Sequence, residues 1–172
     1  RAIADYTRAI EINPKLADAY YNRGLAYSDM GDKERAIADY TRAIEINPKY
    51  AEAYTNRGNA YSDMGDNERA IADYNRALEI NPKLAEAYNG RGAAYGTIGD
   101  YERAIADFNR AIEINPKYAL AYFGKGLACE KLGRFQEAVE AYKNILSCIS
   151  GTPGMGNIIE VVKQRIKELE GK

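Results

Sequence analysis

Residues 17–50 read ADAYYNRGLAYSDMGDKERAIADYTRAIEINPKY, and residues 51–84 answer with AEAYTNRGNAYSDMGDNERAIADYNRALEINPKL. Residues 85–118 keep the same frame, and a looser fourth copy begins at Ala119. The period is 34 residues, a length that belongs to stacked arrays of small units. With Ala17 as position 1, Tyr20, Gly24, Tyr27, Ala36, Tyr40, Ala43 and Pro48 recur as Tyr54, Gly58, Tyr61, Ala70, Tyr74, Ala77 and Pro82. They recur again as Tyr88, Gly92, Tyr95, Ala104, Phe108, Ala111 and Pro116. Residues 1–16 match the second half of a unit, so the chain is expected to open on a second helix without its first, as a piece of a longer array.

Each copy holds two apolar stretches at helical spacing, divided by Gly-Asp at 31–32, 65–66 and 99–100. Glycine suits the left-handed residue that ends one helix, and aspartate caps the start of the next. Asn-Pro then stops the second helix, because proline cannot continue it and restricts the residue before it. Small residues at positions 8, 20 and 27 allow the paired helices to approach closely, and rings at positions 4, 11 and 24 fill the space between them. One helix pair cannot bury its own apolar face, so the units must stack.

The 34-residue pattern resembles the tetratricopeptide repeat, and the resemblance covers nearly all of the chain before Ser150. It implies an all-α, right-handed solenoid of antiparallel helix pairs. One departure from the family is systematic: position 7, usually leucine there, holds Arg23, Arg57, Arg91 and Lys125. Those side chains fall on the buried side of the helical wheel. Their aliphatic stems are expected in the core, with each guanidinium paired to an aspartate or a tyrosine hydroxyl. Arg35, Asp39, Arg42 and Glu45 alternate in sign at helical spacing, which reads as a solvated, self-paired face.

The units assigned are 1–16 (a lone second helix), 17–50, 51–84, 85–118 and a divergent 119–150. A linker at 151–156 and a capping helix at 157–172 follow. Asn157 reads as the cap of that helix, with Glu160 completing a capping box. Ile158, Val162, Ile166 and Leu169 lie on one stripe that would close the core.

Composition narrows the chemistry. There are 24 Lys+Arg against 25 Asp+Glu, 2 Cys and no His. The near-zero net charge gives no general attraction to nucleic acid or anionic membrane. Without histidine, every His-based triad or zinc protease site is excluded. Cys129 and Cys148 lack metal-ligand or redox spacing. The Gly151–Gly156 stretch lacks the Lys-Ser/Thr and the preceding strand of a phosphate loop. No enzyme, metal or cofactor is expected. A cytoplasmic location is expected from the lack of targeting or membrane segments.

The expected function is a protein-interaction scaffold. In a stack of helical pairs the first helices line the concave side, and positions 2, 5, 6, 9, 12 and 13 lie opposite the core. The first and second copies differ at seven positions, three of them in this set, while the second and third differ at ten, five of them in it. Change is thus enriched on one face of a copied framework. The predicted peptide groove comprises Asp18, Tyr21, Asn22, Leu25, Asp29, Glu52, Thr55, Asn56, Asn59, Asp63, Glu86, Asn89, Phe123 and Leu127. Its acids would select basic residues, and Asn22, Asn56 and Asn59 would hydrogen-bond a peptide backbone. Tyr21, Phe123 and Leu127, with Leu120, would supply apolar contact. Some family members use an asparagine ladder at position 6; Gly90 and Gly124 interrupt it here. The carboxylate clamp of the chaperone-binding members has no counterpart, because the matching positions lack its lysines and arginine. A peptide or another protein is the expected partner, not nucleic acid or a membrane. The alternatives are end-to-end self-assembly through the uncovered first helix, and service as the interaction arm of a larger enzyme.

Overall fold

A computed structural model describes residues 2–171. Arg1 and Lys172, which end the first and last expected segments, lie outside the described residues. Ten α-helices occupy them: α1 (Ala2–Ile12), α2 (Ala17–Asp29), α3 (Lys33–Ile46), α4 (Ala51–Asp63), α5 (Asn67–Ile80), α6 (Ala85–Thr97), α7 (Tyr101–Ile114), α8 (Ala119–Lys131), α9 (Phe135–Ile149) and α10 (Gly156–Glu170). The fold is all-α, built from antiparallel helix pairs in solenoid-like packing and closed by a final capping helix. Two compact units divide the chain inside α6: Arg1–Gly90 and Arg91–Lys172.

Local chemistry sets the helix ends. Gly31 and Gly65 take φ of 79° and 82°, where any side chain would be strained. The carboxylates of Asp32, Asp66 and Asp100 accept the backbone N–H of Arg35, Arg69 and Arg103, capping α3, α5 and α7. Asn47, Asn81 and Asn115 leave the helix in extended conformation ahead of each proline. The fourth copy has neither the aspartate cap nor the Asn-Pro stop, and α9 runs on to Ile149.

In the first unit, α2 packs on α3, α4 on α5, and the pairs join where α3 meets α4; α1 packs on α2. The core is mostly alanine with one large ring per pair. Ala36, Tyr40 and Ala43 recur as Ala70, Tyr74 and Ala77, and every one of these is almost fully covered. A Cβ at Gly24 would stand 2.8 Å from the Tyr40 ring, and one at Gly58 would stand 3.0 Å from Tyr74. The small residue at position 8 is therefore the space that the ring at position 24 occupies. Burial pushes the Tyr40 phenol up to about 12 from an ordinary 10.0, with the nearby Tyr21 adding to the effect. A folded value above the unfolded one gives stability that is complete below pH 10 and lost as pH rises through about 12. Alkaline titration should thus show a late tyrosinate absorbance step coupled to loss of helical circular dichroism, and Tyr40→Phe should weaken that coupling. A Tyr40 signal appearing at its ordinary value, with the helices intact, would contradict the burial argument.

Arg23 and Arg57, both at position 7, each join three helices. In the first unit, Arg23 donates to both oxygens of Asp39 at 2.7 and 2.8 Å and to the Thr7 hydroxyl at 3.1 Å. Arg57 repeats this with Asp73 and Thr41. The expected aspartate partner is thus present, and its identity corrects another expectation. Asp39 is not part of a solvated ladder: it is buried beneath Arg23, while Arg35 turns back to Asp32 and Arg42 pairs with Glu45. A fork of fixed donors on a carboxylate sets the register between helices.

In the second unit, Arg91 binds Asp107 in the same two-pronged way, and α8 packs on both α7 and α9. In the fourth copy, position 7 is Lys125 and the aspartate position is Ala141, so the fork is missing there. Gly126 faces Tyr142, whose hydroxyl donates to Glu130 at 2.6 Å. α10 lies on α9, with Val162, Ile166 and Leu169 buried. Ile158, expected on the same stripe, is 49% exposed. The capping box expected at Asn157 does not form: α10 starts a residue earlier, no side chain caps it, and Glu160 pairs with Lys163 instead. Arg165 reaches across to Glu130, binding the last helix to α8.

Candidate functional site

In the first unit, the first helices α2 and α4 lie side by side and α6 begins a third. Asp18, Glu52 and Glu86 hold position 2 of these helices, and all three are exposed. Asp29 is exposed as well. Asp63 is exposed but already holds Lys33 at 2.5 Å, so it offers less free charge to a ligand. The Asp18 carboxylate faces the Tyr50 hydroxyl, whose ionisation is pushed to higher pH first by burial and then by that contact.

The asparagines are not free in the way the sequence suggests. The Tyr74 hydroxyl donates to Asn59 Oδ1 at 2.7 Å, Asn59 Nδ2 reaches Asn56 Oδ1 at 3.4 Å, and Asn56 Nδ2 donates to the Tyr21 hydroxyl at 2.9 Å. This chain of hydrogen bonds runs from α5 through α4 to α2. Asn22 turns back on its own helix, donating to the Asp18 carbonyl at 2.7 Å. The amides therefore act first as internal ties, and a ligand would have to compete with those bonds.

Four predicted positions are less accessible than expected, to different degrees. Thr55 corrects the expectation outright: it is buried and its hydroxyl donates to the Ala51 carbonyl, so it cannot touch a partner in this conformation. Tyr21 packs against Ala43, Ile44 and Ala53, with its ring 4.8 Å from that of Tyr50, so only part of it remains accessible. Leu25 and Asn89 are half-buried.

Gly90, read as a break in the asparagine ladder, has a steric cause. A Cβ there would lie 2.6 Å from the Tyr74 ring. In the second unit Gly124 repeats this, with 2.3 Å to Phe108. The ring at position 24 therefore presses on position 6 of the next helix as well as on position 8 of its own partner. Position-to-position spacing could have found this, since position 6 loses its side chain in two consecutive copies.

The second unit presents a different surface. Leu120, Phe123 and Leu127, one helical stripe of α8, are 64%, 46% and 44% exposed. The Phe123 ring stands 6.3 Å from Tyr142, which steadies its inner edge. α10 does not cover this stripe. Cys129, in contrast, is fully buried, and burial pushes its thiol up, away from reactivity. Among the described residues no group of three or more His, Cys, Asp or Glu is placed to hold a metal ion, and no helix is long and apolar enough to cross a membrane.

Paired helices with a polar face on the first helices define a helical-repeat scaffold of the kind that generally serves protein or peptide interaction. Models of the tetratricopeptide repeat match residues 17–50 and 85–118, 1–31 and 58–99, and 39–72 and 108–140, so that together they span 1–140. The chain belongs to the tetratricopeptide repeat family. Among solved structures, MamA is 29% identical with a TM-score of 0.78, over 85% of this chain and 85% of that one. The TPR domain of Arabidopsis OM64 is 27% identical with a TM-score of 0.65, over 66% of this chain and 94% of that one. YrrB, described as a TPR protein with an unusual peptide-binding site, shares the fold at 24% identity and a TM-score of 0.74, over 95% of this chain and 88% of that one. No curated protein matches the sequence.

Proposed function

We propose that the chain binds a peptide segment of another protein on the exposed face of its first helices, and that this segment carries basic residues and an apolar anchor. The first unit is the part that selects charge: Asp18, Asp29, Glu52 and Glu86 stand exposed there. The second unit is the part that holds an apolar side chain. The observation that carries the reading is the open stripe Leu120–Phe123–Leu127, because large apolar side chains left uncovered in a row mark an interaction site more often than chance. Apolar anchors supply most binding energy while charges supply selection and speed of encounter. The asparagines of the first unit hold the face rigid, which lowers the ordering cost of binding. A cytoplasmic location belongs to the same reading and is checked by cell fractionation of the parent protein.

The test is selection of binders from a peptide library. Lys/Arg-containing sequences with one large apolar residue should be enriched. Phe123→Ser should weaken the selected peptides about 10-fold, the equivalent of about 1.4 kcal/mol, with unchanged circular dichroism. Enrichment of acidic peptides, or binding indifferent to Phe123, would overturn the reading.

A further inference from the structure

Two large apolar residues of α10 stand in solvent: Ile158 is 49% exposed and Val161 69%. Neither belongs to the buried stripe Val162, Ile166 and Leu169 by which α10 lies on α9. They share a flank of the helix with Arg165, which follows Ile158 by seven residues and Val161 by four. Arg165 bonds Glu130 of α8, so that flank is turned towards α8. α8 runs antiparallel to α9, and so does α10, since Leu169 at its end shares a hollow with Phe135 at the start of α9. α8 and α10 are therefore parallel to each other. Counting back from the Arg165–Glu130 bridge at equal rise sets Ile158 level with Phe123, and Val161 within a residue of Leu127.

The result is a trough within the second unit. Leu120, Phe123 and Leu127 form one wall, Ile158 and Val161 the other, and the Arg165–Glu130 bridge closes one end. Among the described residues α8 and α10 both pack on α9 and not on one another, which leaves the gap. An α-helix suits it, because an apolar arc of about 100° or more reaches both walls at once, whereas an extended chain turns alternate side chains away. Charge sets the direction. Glu130 is held by Arg165 and the Tyr142 hydroxyl, and Glu168 by Arg165, so the carboxylates at the closed end are engaged. Lys131, four residues beyond Leu127 on the same stripe, is exposed, and no ion pair to it occurs among the described residues. A carboxylate is favoured in the first turn of a helix, so an acid placed there and set on Lys131 makes the occupant antiparallel to both walls.

We propose that this trough seats an amphipathic α-helix of another protein, antiparallel to α8, with an apolar stripe facing the walls and an Asp or Glu in its first turn beside Lys131. The proposal rests on the peptide-binding reading above and deepens it: the partner's apolar anchor is a row of side chains on a helix, and its basic residues lie elsewhere in it. A second copy of this chain offers no such helix. Its other large exposed apolar side chains, Ile12, Leu16, Met30, Met64 and Ile98, sit at helix ends and turns. Setting trough against trough would leave both gaps empty. Complementary charge and an apolar arc thus favour a foreign helix.

The test titrates the 172-residue chain with a fluorescent peptide and follows anisotropy. The peptide is a lactam-bridged helix of about 18 residues, about 27 Å long, with one leucine stripe, glutamate in its first turn and lysines on its outer face. Saturable one-to-one binding is expected. Moving the glutamate to the last turn, at unchanged composition, should weaken binding at least about 10-fold, and Lys131→Glu should abolish that preference. Val161→Glu, which sets a charge in the apolar wall, should weaken it at least about 10-fold, as should a proline in the middle of the peptide. Lys131 and Val161 are exposed, so both variants keep the native circular dichroism. No binding at millimolar peptide, affinity indifferent to Val161→Glu, or equal binding of the proline or last-turn peptide overturns the proposal. In each of those cases the peptide-binding reading still stands if Phe123→Ser weakens the library-selected peptides, and falls too if it does not. Concentration-dependent sedimentation of the chain alone that Val161→Glu abolishes also overturns the proposal, since it assigns the trough to a second copy.

Discussion

Tyr74→Ala should cost the protein about 3–5 kcal/mol, the range for removing a buried ring from a core. The Tyr74 ring is almost fully covered, wedged between Gly58 of its own pair and Gly90 of the following helix, with its hydroxyl bonded to Asn59. Neither glycine has a side chain that could swing into the space, so the cavity stays open or three helices must shift. Tyr74→Phe keeps the ring and removes the hydroxyl's bond to an exposed amide, for about 1 kcal/mol or less. Urea unfolding followed by far-ultraviolet circular dichroism measures both. Because a repeat array sums local stabilities, amide exchange in α4 and α5 should quicken before exchange in α9. An alanine variant no less stable than the phenylalanine one would show that the ring is not the wedge described.

The helix pairs were legible because their punctuation is local. Gly-Asp and Asn-Pro fix where one helix stops and the next starts, and the structure places α3, α5 and α7 behind capping aspartates as those residues require. What escaped was the second neighbour of each first helix. The helical-wheel argument set positions 5 and 6 opposite the core of a single pair. In the first unit, α4 also packs on α3, the second helix of the preceding pair. Thr55 is buried on that account, Tyr21 is half taken up by Ala43, Ile44 and Tyr50, and Asn56 is tied to Tyr21. The same oversight made Asp39 look solvated: alternating charges on one helix are self-paired only if no arginine reaches in from another, and Arg23 does.

The capping box at Asn157 failed for a different reason. The Ser/Thr/Asp/Asn-x-x-Glu pattern is a signal only where the helix has not already begun, and Gly156 begins α10. The acids at position 2 and the apolar stripe of α8 were placed on the exposed side by the wheel, and that is where these side chains stand. They sit at the points where a first helix touches neither neighbour, so the single-pair approximation does no harm there.

The arginine forks give the array its order more than its net stability. Removing two charges from water offsets much of what a buried pair gains, so such a pair chiefly fixes geometry. Arg–Asp pairs at identical sequence spacing hold α2 on α3 and α4 on α5 in the first unit, and Arg91 grips Asp107 of α7 in the same way in the second. Position 2 is thereby presented in the same way on each first helix of the first unit, which is what a repeating partner would read.

The most direct measurement is the affinity of a Lys/Arg-containing peptide, selected on the native chain, for the triple variant Asp18→Lys, Glu52→Lys, Glu86→Lys. Reversing three exposed acids places like charges against the ligand, at a cost of several kcal/mol or on the order of 100-fold or more in affinity. The surface location of all three leaves circular dichroism and the urea midpoint nearly unchanged. The account predicts that binding of the basic peptide is lost while the fold persists. Undiminished affinity in a folded triple variant would contradict it.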